Sequence, residues 1–227
     1  MPLAIITGAS RGLGLALARA LARRKWALVL DARGSVDLEA AERELGRLTE
    51  VTAIPGDVAD PDHRRALIAA AGEQIDLLVN NASVLGPSPQ PRLSSYSLAE
   101  LGRVYRVNAL APLALVQLAL PRLVDGGRII NLTSDAAVEP YEGWGGYGSS
   151  KAALEQLTSI LAAEHPELRV YAVDPGDMRT RMHQEAFPGE DISDRPEPES
   201  VAPAFLRLLA ERPPSGRVRL ADLAVAA

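Results

Sequence analysis

Apolar and polar positions along the chain follow two periods that take turns. Short apolar runs stand at Leu3–Ile6, Ala27–Leu30, Val51–Ile54, Asp76–Val79, Arg128–Leu132, Arg169–Val173 and Arg217–Leu220. Several are apolar almost without a break, the pattern of strands covered on both faces, as in a parallel sheet. Between them apolar residues recur at helical spacing, near 12–24, 35–47, 61–71, 97–120, 147–164 and 199–211. This alternation predicts an α/β fold: a three-layer, doubly wound parallel sheet of about seven strands, with helices on both faces. No repeat or long linker interrupts it, so residues 1–227 read as one domain. Phe187–Glu199, rich in Pro, Asp and Glu, reads as part of a mobile loop near 178–199.

Composition narrows the picture. With 227 residues, 47% of them hydrophobic, the chain can bury a substantial core. A formal net charge of −5 and scattered basic residues argue against a nucleic-acid partner. The absence of Cys removes disulfide scaffolds, thiolate metal sites and Cys nucleophiles, and the three His show no zinc-ligand spacing, so no metal is expected. Met1–Ile6 reads as a strand and not as a basic leader. The longest apolar run, Ala109–Val116, contains Pro112 and falls far short of the roughly 20 residues of a membrane span. A soluble, cytoplasmic chain without a membrane partner is the expectation. Of the 24 basic residues 22 are Arg, and the two Lys are Lys25 and Lys151.

Directly after the first strand comes Thr7-Gly8-Ala9-Ser10-Arg11-Gly12-Leu13-Gly14, and then a helix. Glycines at such a turn let the backbone approach a pyrophosphate, while amides at the helix N-terminus face its charge. A bulky residue at Gly12 or Gly14 would push the phosphates away. The spacing is T-G-x-x-x-G-x-G and not the usual G-x-G-x-x-G. Further along stand Asp57-Val58, Asn80-Asn81-Ala82-Ser83, Asn108, Ser134, Tyr147-x-x-x-Lys151 and Pro175-Gly176. Each of these is common alone. Together, in this order, they resemble the short-chain dehydrogenase/reductase family in its compact, Rossmann-like, single-domain form, over essentially the whole chain.

The resemblance implies an oxidoreductase of the CH–OH group, interconverting a small-molecule carbonyl and an alcohol with a nicotinamide dinucleotide. It implies cofactor contacts from Thr7, Gly8, Ser10, Arg11, Gly12, Leu13 and Gly14, from Asp57 and Val58 at the adenine, and from Asn80 and Ala82. Pro175 and Gly176 would meet the nicotinamide carboxamide, with Thr180 just beyond. Ser83 stands where the family usually has Gly, which narrows the space beside the nicotinamide or adds a hydroxyl. Cofactor choice rests on Leu30-Asp31-Ala32-Arg33. An acid at the end of this strand bonds the ribose hydroxyls of NAD, whereas Arg pairs with the extra phosphate of NADP. Aligned to the family, the deciding position is Ala32, followed by Arg33, and Arg11 resembles a second phosphate-binding residue. NADP(H) is the expectation, but a one-residue shift would put Asp31 in that position and make NAD(H) possible.

Hydride transfer to a carbonyl needs a proton donor at the developing alkoxide. Tyr147 and Lys151, four apart on a helix, share a face. An adjacent ammonium favours the phenolate, which lowers the phenol from its usual pKa near ~10. By resemblance Tyr147 is the acid/base, Lys151 also bonds the nicotinamide ribose, Ser134 binds the substrate oxygen, and Asn108 holds a water in a proton relay. In a chain that uses Arg almost everywhere, a Lys at 151 stands out, because the wider Arg head matches that place poorly.

Family logic lines the substrate pocket with Ser83, Val84, Val138, Tyr141, Trp144, Met178 and Met182, with Phe187 nearby, mainly apolar. Arg179, Arg181 and His183 either attract an anionic substrate or are solvated loop charges. Ala109–Leu120 is apolar nearly all round, and the resemblance implies a homo-oligomer, dimer or tetramer, through this helix and the Tyr147 helix. The alternatives to an NADP(H) enzyme are a non-catalytic NADP-sensing protein of the same fold and an NAD-preferring dehydrogenase.

Overall fold

The apolar runs become the strands of one parallel sheet: β1 (Leu3–Ile6), β2 (Ala27–Ala32), β3 (Val51–Pro55), β4 (Ile75–Asn80), β5 (Leu123–Leu132), β6 (Arg169–Asp174) and β7 (Gly216–Arg219). The helices are α1 (Gly12–Ala22), α2 (Ser35–Leu45), α3 (Pro61–Ala70), α4 (Leu98–Tyr105), α5 (Ala111–Ala119), α6 (Gly145–Glu164), α7 (Arg181–Ala186), α8 (Ala202–Glu211) and α9 (Leu220–Ala224). The computed structural model describes residues 1–224. The sheet order is β3-β2-β1-β4-β5-β6-β7, with every neighbouring pair parallel. The chain winds outward from β1 to β3, then returns to place β4 on the other side of β1. At that reversal the connections leave in opposite directions and a cleft opens at the strands' carboxyl ends.

Alternation along the strands splits the core into two layers. Ile6, Leu28, Leu30, Val79 and Ile130 pack with Leu17 and Leu21 of α1, Leu38 and Leu45 of α2, and Phe205 and Leu208 of α8. Their chain neighbours Ile5, Val29, Leu78 and Ile129 face the other way, toward Leu67 of α3, Val116 of α5 and Leu161 of α6. Both faces are dry, which is why the strands read as unbroken apolar runs. Burying each such Leu or Ile contributes roughly 1.5–3 kcal/mol relative to exposure.

Four boundaries differ from the sequence reading. β5 begins at Leu123, before Gly126 and Gly127, because glycine tolerates the register shift that pairs this stretch with β4. Leu220 belongs to α9 and is buried, so β7 stops before it. The loop near 178–199 contains α7. The single helix expected over 97–120 is interrupted by a π-helical turn, Arg106–Leu110, between α4 and α5. Pro112 supplies the reason. It has no N–H for the carbonyl four residues back, at Asn108, and its ring crowds that carbonyl, so regular α pairing fails there. Leu98–Arg122 has the length and hydropathy of a membrane span, yet half of its most apolar window is buried inside the protein.

Candidate active site

The β1–α1 turn is laced to the end of β4. The Thr7 hydroxyl accepts from the N–H groups of Asn81 (3.0 Å) and Ala82 (2.9 Å), and the Asn81 amide donates to the carbonyls of Thr7 (2.8 Å) and Gly8 (3.1 Å). Gly8 and Gly12 have φ of +65° and +56°, where a side chain is strained. Gly14 is different. A Cβ there would collide with the Gly8 carbonyl and come within 2.6 Å of Asn81 Nδ2. Glycine at this position therefore has a reason of its own, apart from any room for phosphate: it lets the turn close on itself. Leu13 points into the core. Arg11, just before α1, is extended, and its side chain caps nothing. The first-turn amides of α1 therefore have no side-chain acceptor and suit an anion. Half-buried Ser10 lies in the same turn.

At the far end of the cleft, Asp31 is 1% exposed. Its Oδ1 accepts from Gly8 N–H (2.7 Å) and its Oδ2 faces His63 Nε2 (3.0 Å). Burial pushes this carboxyl up, against the pull of the His63 and Gly8 hydrogen bonds. Ala32 is buried, while Arg33 and Arg11 are exposed and form no ion pair among the described residues. Exposed Asp57 accepts from Ala59 N–H (2.8 Å), whereas Val58 packs against Val107 and Ala111 behind the cleft.

The expected reacting groups Ser134, Tyr147 and Lys151 lie between the end of β5 and α6. Tyr147 is buried beside Leu85 and Ala136. Lys151, 2% exposed, donates from Nζ to the Leu132 carbonyl (2.7 Å) and lies 5.5 Å from the Tyr147 ring centre. Burial brings Lys151 down to about 8. The phenol, expected to be lowered by this ammonium, is instead raised. Burial is the main cause, then the Asp135 and Asp174 carboxylates, with the Ser83 and Ser134 hydroxyls pulling the other way. Spacing along a helix shows which groups share a face, not how little water reaches them. Ser134 donates to Asp135 Oδ1 (2.8 Å) and accepts from Ala136 N–H (3.2 Å), and Tyr141 donates to the second Asp135 oxygen (2.9 Å). Asn108, fully buried in the π turn, spends its whole amide on protein: Nδ2 on Val84 O (2.9 Å) and Ser150 Oγ (3.0 Å), Oδ1 on Ser83 Oγ (3.1 Å) and Val84 N–H (2.9 Å). Any water at Asn108 must therefore use its backbone.

In front of Tyr147 a cleft is lined by Leu85, Ser134, Trp144, Met178, Met182 and Ala186, with Pro175, Gly176 and Thr180 toward the glycine turn. Trp144 meets Tyr147 edge to face (ring centres 5.8 Å apart) and Phe187 at a tilt (5.9 Å). Thr180 caps α7 by accepting from His183 N–H (3.2 Å). Several expected positions fall elsewhere. Val138 is 55% exposed and outside the cleft, because the chain turns outward after the short helix at Asp135–Ala137. Tyr141 stands at the rim as the support of Asp135, not in the wall. Val84 is held against Asn108, and so is Ser83, whose hydroxyl also acts on the Tyr147 phenol and so stays at the site. Asn80 does not face the cleft: it is buried and donates to Asn131 Oδ1 (2.8 Å), joining β4 to β5. Ala82 is half-buried against Val58.

The loop cations do not make a basic pocket. Arg179 pairs with Glu197, Arg181 with Glu185 (2.7 Å), and Arg195 with Asp194 (3.1 Å). The charges that line the cleft are Asp135, Asp174 and Asp177, with His183 alongside. Sequence reasoning passed over these acids. It also passed over Arg217 of β7, which binds Asp174 (2.9 Å), Glu155 (3.0 Å) and the Ser134 carbonyl (3.4 Å) from behind. Position beside Ser134 and Pro175 was the available signal for Asp135 and Asp174.

Comparison with known proteins agrees with this geometry. Residues 2–191 match the family profile described as short chain dehydrogenase. A sepiapterin reductase from Bos taurus is 32% identical over 199 residues, which are 80% of this chain and 74% of the relative. A benzil reductase ((S)-benzoin forming) from Saccharomyces cerevisiae is 31% identical over 214 residues, covering 89% of this chain and 79% of that protein. Among solved structures, an alcohol dehydrogenase from the archaeon Thermococcus sibiricus, complexed with 5-hydroxy-NADP, superposes with a TM-score of 0.85. It is 30% identical, and the match covers 96% of this chain and 95% of that one.

Proposed function

The chain belongs to the short-chain dehydrogenase family of oxidoreductases, and from that premise we propose that it interconverts a carbonyl and an alcohol using NADP(H), with Tyr147 as the acid/base. The observation that carries the reading is the convergence of Ser134 and Tyr147 on one cleft, with Lys151 buried beside the Tyr147 ring and Thr180 of the same cleft next to Gly12 of the uncapped glycine turn. The residues fit a dinucleotide. The amides of Gly12–Gly14 suit its pyrophosphate, and Lys151 its nicotinamide ribose. Arg11 and Arg33, exposed and without an ion pair among the described residues, suit the extra phosphate of NADP, while Asp31 is turned away. When bound, the dinucleotide donates or accepts the hydride. Tyr147 gives its proton to the nascent alkoxide, which its raised phenol keeps available at neutral pH. Ser134 orients the substrate oxygen. Asn108 anchors the helix beneath, and because its side-chain amide is fully used and Pro112 has no N–H to offer, we assign a relay water to its main-chain carbonyl.

The cleft's aromatic and thioether walls suit a carbonyl next to a flat apolar group, in keeping with the benzil and sepiapterin in the names of the relatives. Its carboxylates disfavour an anionic substrate. Apolar surface at Leu98, Leu110 and Ile160 supports pairing of two copies through α4–α6, and a monomeric mass in light scattering would exclude it. The test of the main reading is cofactor oxidation with benzil as the probe substrate. NADPH is expected to be consumed faster than NADH, and Tyr147→Phe to lose roughly 100-fold or more while still binding NADPH. A Tyr147→Phe chain that retains most of its activity would refute the assignment.

A further inference from the structure

Beneath the adenosine end of the glycine turn sits a buried pair that neither the proton chemistry nor the substrate pocket uses. His63, in the first turn of α3, reaches Asp31 at the end of β2. Gly56 gives the ring its seat, since a Cβ there would collide with His63 Nδ1 and lie 2.6 Å from Cε1. The Asp31 backbone also grips the turn, its carbonyl accepting from Ala9 N–H (2.8 Å).

A carboxylate at this point has two destinations. Outward, it accepts from ribose hydroxyls and repels a phosphate carried on that ribose. Inward, it loses water and must find donors, because a buried carboxylate without them is costly. Gly8 N–H satisfies one oxygen and His63 the other. Asp57, the other acid acting on this carboxylate, works against the inward, ionised state.

We infer that His63 sets the cofactor preference of this chain: it holds the Asp31 carboxylate beneath Gly8 and so leaves the ribose position to Arg11 and Arg33. His63 is a positioning residue that acts through Asp31. The inference rests on the NADP(H) reading above and places the selectivity in a pair that does not touch the cofactor. Without His63, the carboxylate's best alternative is the cleft.

Dissociation constants for NADPH and NADH, measured by nicotinamide fluorescence, test this on the wild-type chain and on His63→Leu, His63→Gln and His63→Leu/Asp31→Asn. Melting curves identify the folded variants. In His63→Leu the preference for NADPH over NADH should fall by about tenfold or more, the scale of one hydrogen bond to a charged group. His63→Gln, which still offers an amide N–H, should keep the preference. The double variant has no charge to redirect and should return to the wild-type ratio. If His63→Leu weakens both cofactors equally, the pair is structural only and the inference is overturned, as it is if the double variant behaves like His63→Leu. Should His63→Leu fail to fold, His63→Asn replaces it, because the shorter amide falls short of Oδ2. A wild-type chain that prefers NADH would overturn the NADP(H) reading itself, which the ratio between variants does not decide.

Discussion

Replacing Lys151 by Met removes a charge from a place where water hardly reaches, and the effect on stability has a calculable pH dependence. Burial lowers Lys151 from 10.5 to about 8. Between those values the unfolded chain binds the proton and the folded chain releases it, so wild-type stability rises with pH across the window. Below pH ~8 the folded state carries the full penalty. At about 1.4 kcal/mol for each pKa unit, that penalty is about 3 kcal/mol. About 2 kcal/mol of it is recovered between pH ~7 and pH ~9.5, short of the range near pH ~10 where tyrosines of the unfolded chain titrate. Lys151→Met has nothing to titrate there and loses the bond to the Leu132 carbonyl at every pH. Urea unfolding of both chains at the two pH values gives the difference in stability. It should move by about 2 kcal/mol in favour of wild type at the higher pH. A difference that is the same at both would refute the reasoning, because Lys151 would then be charged and hydrated in the folded state. The same numbers make Lys151 a cation at neutral pH, as an anchor for a ribose hydroxyl requires.

Three further outcomes follow. Gly14→Ala should cost about 1–3 kcal/mol in urea unfolding and weaken NADPH binding, since its methyl group meets the Gly8 carbonyl. Gly34→Ala, with no atom near its Cβ, should change stability by less than about 1 kcal/mol. Arg217→Met leaves the Asp174 carboxylate uncompensated beside the active site, so the phenol rises further. If Tyr147 is the base, as proposed above, the pH profile of alcohol oxidation should move to higher pH, and an unmoved profile would show that Asp174 does not act on Tyr147.

Much of the site was legible because its parts are local. Thr7–Gly14 is one turn, and Tyr147 and Lys151 are one helical turn apart, so spacing alone brings each set together. The strands were legible because residues such as Ile5 and Ile6 are buried on opposite faces. What escaped depends on partners far apart in sequence. Nothing near Asp31 announces that His63, 32 residues on, will meet its carboxylate. Whether Arg179 and Arg181 attract an anion or are ordinary loop charges stayed open along the sequence, because their partners Glu197 and Glu185 are met only in the fold. The sign of the Tyr147 shift escaped for a related reason, since burial is a property of the whole assembly and not of a four-residue interval.

The π-helical turn at Arg106–Leu110 also bears on how the chain tolerates changes in length. A π turn closes its hydrogen bonds over five residues where an α turn uses four, so it houses one residue more than the helix on either side needs. Deleting Pro112 would remove both the extra residue and the ring that prevents α pairing, so the helix would close up while Val104 of α4 and Val116 of α5 kept their places in the core. The carbonyl and amide geometry of Asn108 would be lost in the same event. On the proposed reading, this is a point where the loss of one residue would spare the fold and remove the Asn108 contribution to the reaction.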